Sequence, residues 1–120
     1  MRRFVAALAA FFAFGGCATS AADITSDIRS KAPVGDVVSS RSTDDLVTCI
    51  TTGLQSFDRE VTIERSGKSV AIVIGVMDTP QYLIDIVDTV GARRITFRRR
   101  TMLIQTASGP IHELVVRCAG

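Results

Sequence analysis

Glu60-Val-Thr-Ile-Glu-Arg-Ser-Gly-Lys-Ser-Val-Ala-Ile-Val-Ile-Gly-Val76 contains two strands and the turn that joins them. In its first half Val61 and Ile63 alternate with Thr62 and Glu64, the two-residue period of a strand that is wet on one face. Ser66-Gly67-Lys68 interrupts the pattern with turn chemistry. Ser69 to Val76 then returns as an almost wholly apolar strand, so the segment reads as a β-hairpin.

Working toward the C-terminus, Tyr82 to Val90 is open between two structures. Thr79 and Pro80 suit a helix start, and Gly91 suits a helix end. Against this, the β-branched Ile84, Ile86, Val87, Thr89 and Val90 crowd a helix, and Tyr82, Ile84 and Ile86 alternate. The balance favours a strand. Gly91-Ala92 would turn it into Arg93-Arg-Ile-Thr-Phe-Arg98, placing Ile86 opposite Phe97 and Asp85 opposite Arg98, the apolar and opposite-charge pairs that stabilise a sheet. Past Ser108-Gly109-Pro110, the residues Ile111, Leu114, Val115 and Cys118 repeat at helical spacing, with a strand over Leu114 to Arg117 as the alternative.

Working toward the N-terminus, Ser42 is placed to cap a helix, and Asp44 and Asp45 suit the positive end of its dipole. Leu46, Cys49, Ile50 and Leu54 fall on one face, so Asp44 to about Gln55 reads as an amphipathic helix that Gly53 weakens in its last turn. The expected fold is α+β, ordered α-β-β-β-β-α over residues 42–120: a four-stranded antiparallel meander with an N-terminal and a C-terminal helix packed on one face. Residues 17–41 are rich in Ala, Ser, Thr and Asp, with Ile24 and Ile28 at helical spacing, and read as a flexible tether.

Residues 1–16 have the order of an export signal: Arg2 and Arg3, an uncharged apolar run from Phe4 to Phe14, then small residues. The ending Phe14-Gly15-Gly16-Cys17 resembles the lipobox of bacterial lipoproteins, although that family usually has Leu where this chain has Phe14. The resemblance implies cleavage before Cys17, lipid on that cysteine, and residence on the periplasmic face of the outer membrane. Ala18 resembles the outer-membrane sorting context. The same residues are compatible with ordinary cleavage after Ser20 or Ala22, which would leave a soluble periplasmic protein. They are also compatible with retention as an anchor, although the apolar run is short against the roughly 20 residues of a spanning helix. Three cysteines are an awkward number in an oxidising compartment. With Cys17 assigned to lipid, Cys49 and Cys118 can pair, each on the apolar face of a terminal helix.

The formal charge of +2 belongs to the signal, since removing Arg2 and Arg3 from 14 basic residues leaves 12 against 12 acidic ones. The distribution is uneven: Asp23 to Val90 is acidic, and the remainder is basic. Arg93, Arg94, Arg98, Arg99 and Arg100 form a candidate anion-binding patch for a head group, a wall polymer or an acidic protein. The plainer expectation is a solvated sheet face whose arginines pair with Asp85, Glu64 or Asp88. Nucleic acid is not an expected partner, because only Phe97 interleaves with these arginines.

Catalytic chemistry has little to stand on. His112 is the sole histidine and reads as a surface residue in a first helical turn, so neither a metal site nor a nucleophile–base pair is expected. Asp85 and Asp88 are odd-spaced on one strand and point to opposite faces. Gly67 and Gly75 are isolated and make no phosphate loop. No cofactor is expected. The chain as a whole resembles the small disulfide-bearing lipoproteins of Gram-negative envelopes, which implies a non-catalytic, lipid-anchored protein with a structural or partner-binding role. The alternative is a periplasmic inhibitor or ligand-binding module acting on an envelope-attacking enzyme or an anionic envelope component. A hydrolase reading would rest on His112 alone.

Overall fold

A computed structural model describes residues 20–100 and 108–120. The described residues form an α+β fold with one open antiparallel sheet of five strands and three helices. In chain order these are α1 (Ala21–Arg29), β1 (Gly35–Ser39), α2 (Thr43–Leu54), β2 (Glu60–Ser66), β3 (Ser69–Val76), β4 (Thr79–Thr89), β5 (Ala92–Arg99) and α3 (Ser108–Ala119). The strand order across the sheet is β1-β5-β4-β3-β2.

The expected hairpin is present, with Val61 opposite Ile74 and Ile63 opposite Ile72. Tyr82 to Thr89 lies in the strand β4, with Val90 in the turn after it, and the meander from β2 to β5 stands. Ser42 caps α2 by accepting a hydrogen bond from the Asp45 amide at 3.1 Å. The register of the last hairpin differs from expectation by two residues. Its turn is Val90-Gly91, so Ile86 faces Ile95 and Asp85 faces Thr96. Gly91, at φ 77°, supplies the left-handed conformation that closes this turn. A two-residue slip preserves which face each side chain occupies, so Asp85 and Arg98 still meet, now as diagonal neighbours.

Two expectations about the N-terminal part are corrected. Four strands become five, and the segment expected to be a tether over residues 17–41 contains α1 and β1, both packed into the domain. β1 pairs antiparallel with β5, bringing Val37 opposite Ile95. α1 is capped by Ser20, which accepts from the Asp23 amide at 3.2 Å, and it buries Ile28 completely. The physical reason lies in β3. Ala71 and Val73, with Leu83 of β4, face away from α2 and α3 and require cover, which Ile28 and Ile24 of α1 provide.

The larger core lies on the other face. There Leu46, Ile50 and Leu54 of α2 and Ile111, Leu114 and Cys118 of α3 pack on Ile72, Ile84, Ile86, Ile95 and Phe97. The expected pair of helices on one face is thus present, and α1 adds a third layer on the opposite one. α2 and α3 cross tightly at Gly53, where a Cβ would stand 2.4 Å from Leu114 Cδ1. The two helices are joined by a disulfide between Cys49 and Cys118, with a Cα–Cα distance of 5.8 Å. Ser39 and Arg41 tie β1 to the end of α3: the Ser39 hydroxyl donates to the Ala119 carbonyl and the Arg41 guanidinium to the Cys118 carbonyl, each at 2.7 Å. These bonds satisfy carbonyls left open at a helix C-terminus and place a cation there.

Candidate functional site

The candidate site is on the α1 side of the sheet. α1 covers Ala71, Val73 and Leu83, leaving the neighbouring part of that face open. On β5 the alternation that buries Ile95 and Phe97 under α2 and α3 turns Arg94, Thr96 and Arg98 to this open face. On β4 it presents Asp85 and Val87 to the same face. Between these strands and the end of α1 lies a cavity of about 570 Å³, with Arg29, Arg94, Arg98, Asp85, Glu64 and Ser69 among its lining residues.

Asp85 is the centre of the cluster. Its Oδ1 accepts from Arg29 Nη2 at 3.1 Å, and its Oδ2 pairs with Arg98 Nη1 at 3.5 Å. Arg98 is fixed from two further directions, donating from Nε to the Lys31 carbonyl and from Nη1 to the Thr96 hydroxyl, both at 2.9 Å. The Asp85 and Arg98 side chains retain only 14% and 19% of their exposure, whereas Arg29 keeps 49%. Two guanidinium groups therefore share one carboxylate in a partly desolvated setting, a local surplus of one positive charge.

At the rim, Arg94 makes a two-pronged pair with Asp36 of β1, one prong being Nε to Oδ1 at 3.0 Å. The hydrogen bond from Arg94 holds the Asp36 carboxyl below its ordinary range; burial opposes this, and the charges of Arg94 and Arg98 add to it. The Asp36 carboxylate in turn raises the Arg94 guanidinium, chiefly by accepting that hydrogen bond.

The arginine run does not form one patch. Arg94 and Arg98 share the α1 face. Arg93 lies on the other face, with Nε 3.2 Å from Asp88 but off the hydrogen-bond direction. Arg99, opposite Tyr82, falls on that same second face by alternation, and the Arg100 amide donates to the Gln81 carbonyl. The expected pairings with Asp85 and Asp88 are present. Arg29 and Asp36, the two members that complete the site, are hidden when residues 17–41 are read as a tether. The usable signal is basic Arg29 directly after Ile28, beside the apolar stripe that Ile24 and Ile28 make in that segment.

His112 is not a simple surface residue. It is half-buried, stacked on Phe97 with ring centroids 5.9 Å apart, and it passes so close to Gly35 that a Cβ there would stand 2.5 Å from Nε2. Among the described residues no group of three or more His, Cys, Asp or Glu is arranged to hold a metal ion. No helix among them is long and apolar enough to cross a membrane. Cys17 and the signal-like segment lie outside the described residues. No family model matches the chain, and no curated protein sequence is detectably similar to it.

Proposed function

We propose that this chain is a non-catalytic, lipid-anchored envelope protein whose folded domain holds a partner on the periplasmic face of the outer membrane. The observation that carries the reading is the Cys49–Cys118 bond. A disulfide in so small a domain suits an oxidising compartment. It also uses two of the three cysteines and leaves Cys17, inside Phe14-Gly15-Gly16-Cys17, as the odd one. The start of α1 supports a cut at Cys17 over the later alternatives. Cleavage after Ser20 or Ala22 would remove the side chain that caps α1, and cleavage after Ala22 would also remove its first two residues.

From Cys17 to the cap at Ser20 is three residues, at most about 10 Å of extended chain. A lipidated Cys17 would hold the domain against the head groups instead of at the end of a long leash. The test is fractionation of cells making the wild type and Cys17→Ala. Wild-type protein is expected in the detergent-extractable membrane fraction and the variant in the soluble one. A soluble wild type, or a variant that stays membrane-bound although residues 1–16 have been removed, would remove the anchor from the proposal.

The second reading, a periplasmic inhibitor or ligand-binding module, is favoured by the cluster at Asp85. Inhibition of several lysozyme types by the purified protein would support the inhibitor form. No inhibition in any of them would leave only ligand binding.

A further inference from the structure

We propose that the open trough beside α1 binds a small, singly charged oxyanion, with Arg29 and Arg98 as its ligating residues and Asp85 as the carboxylate that positions both. The inference deepens the ligand-binding reading and rests on it, but it is independent of whether Cys17 carries lipid.

Charge and donor geometry set the ligand class. Arg29 and Arg98 bring two positive charges to one carboxylate, and the adjacent Arg94 is already satisfied by Asp36. Glu64 lines the same cavity from β2, on the same face as Asp85. A ligand of charge −1 neutralises the Asp85 cluster, whereas a polyanion would also have to meet the carboxylates of Asp85 and Glu64 that line the same opening. Arg98 spends Nε and Nη1 on Lys31, Thr96 and Asp85, so Nη2 and its two N–H groups remain for a ligand. Arg29 uses Nη2 on Asp85, leaving Nε and Nη1. Planar guanidinium groups with paired N–H donors match a carboxylate or a phosphodiester. Arg98 needs no ordering when the ligand arrives, because three protein groups already hold it, and its low exposure limits competition from water.

The volume suits a small molecule, being within the roughly 300–1,000 Å³ of ordinary ligand pockets. Its lining mixes the Ser66 and Ser69 hydroxyls with the apolar Pro33, Ala71 and Val87, which fits a body of a few carbon atoms behind the charged group. The concave shape favours such a molecule over a flat charged surface.

The experiment is an amide-resolved NMR titration of the full-length protein in a neutral detergent at low salt. The two probes are N-acetylalanine for a carboxylate and dimethyl phosphate for a phosphodiester, with N-acetylalanine amide as the uncharged control. Saturable shifts are expected at Arg29, Ser69, Asp85, Thr96 and Arg98, at millimolar probe, with either anion and not with the amide. The stronger of the two anions identifies the source of the oxyanion. Arg29→Gln, a change at a half-exposed position, should weaken binding roughly tenfold, the loss of one charge-assisted contact. Arg98→Gln should abolish binding; if that variant fails to fold, Arg29→Gln decides. Linear, non-saturating shifts with both anions would overturn the proposal. So would saturable shifts centred on Arg99 and Arg100, or binding indifferent to Arg29→Gln. None of these failures bears on the membrane fractionation of Cys17→Ala.

Discussion

Gly53 and Asp36 show how single residues carry the fold. Sequence alone marks Gly53 as a weak point in α2, since glycine costs helix stability of about 1 kcal/mol against alanine. In the structure it is where α3 approaches, and a methyl group would press into Leu114. Gly53→Ala is therefore expected to destabilise by about 1–3 kcal/mol despite the better helix propensity, because overpacking outweighs it. A higher unfolding midpoint in urea for the variant would show that α3 can yield. For Asp36, the folded carboxyl lies below its ordinary range because Arg94 bonds its charged form. A lowered folded-state value gives stability that is present above the unfolded value, about pH 3.9, and is lost as pH falls through the folded one. The pair is exposed to solvent, so the effect is small and salt-sensitive. Asp36→Asn should lower the melting temperature at neutral pH and low salt, and the difference from wild type should vanish on strong acidification. A difference that persists at acid pH would mean that Asp36 acts through packing.

At the scale of elements, the parts with strong local signals were legible. Ser42 with the following acids marks α2, and Val61 and Ile63 mark β2. The β-branched crowding from Ile84 to Val90 settles β4. What was not legible required long-range partners. α1 has only two large apolar residues, Ile24 and Ile28, and β1 is a five-residue edge strand, so neither is distinguishable in composition from a loop. The clue lay in β3, whose apolar residues on both faces demand cover from two sides. The register slip of β4 against β5 had a local origin, because Gly91 fits either position of a two-residue turn and the structure places it second, after Val90. The β3–β4 turn holds a further test. Met77 and Asp78 both adopt positive φ, 52° and 64°, a conformation that suits an asparagine followed by a glycine far better. Met77→Asn combined with Asp78→Gly should therefore stabilise by about 1 kcal/mol in urea unfolding, by relieving the left-handed strain. A loss of stability would show that the Asp78 amide's bond to Glu60, at 2.7 Å, depends on the native pair.

For the whole molecule, the disulfide joins residues 69 apart in sequence and links the two helices that cover the main core. In the loop-entropy description a bond closing that span contributes roughly 4 kcal/mol, a large fraction of the total for a domain of this size. Unfolding with and without reductant should therefore differ by about 2–5 kcal/mol, and Cys49→Ala with Cys118→Ala should behave as the reduced protein does. Equal stability would make the bond dispensable to the fold. The same bond links fold to proposed location, because it leaves Cys17 as the remaining thiol of the chain. The decisive measurement is the intact mass of the protein extracted from membranes without reductant and again after reduction. A chain beginning at a lipid-modified Cys17, gaining about two hydrogens on reduction, is the expected result. A lipid-free chain beginning near Ala21 or Asp23 would contradict the anchored reading.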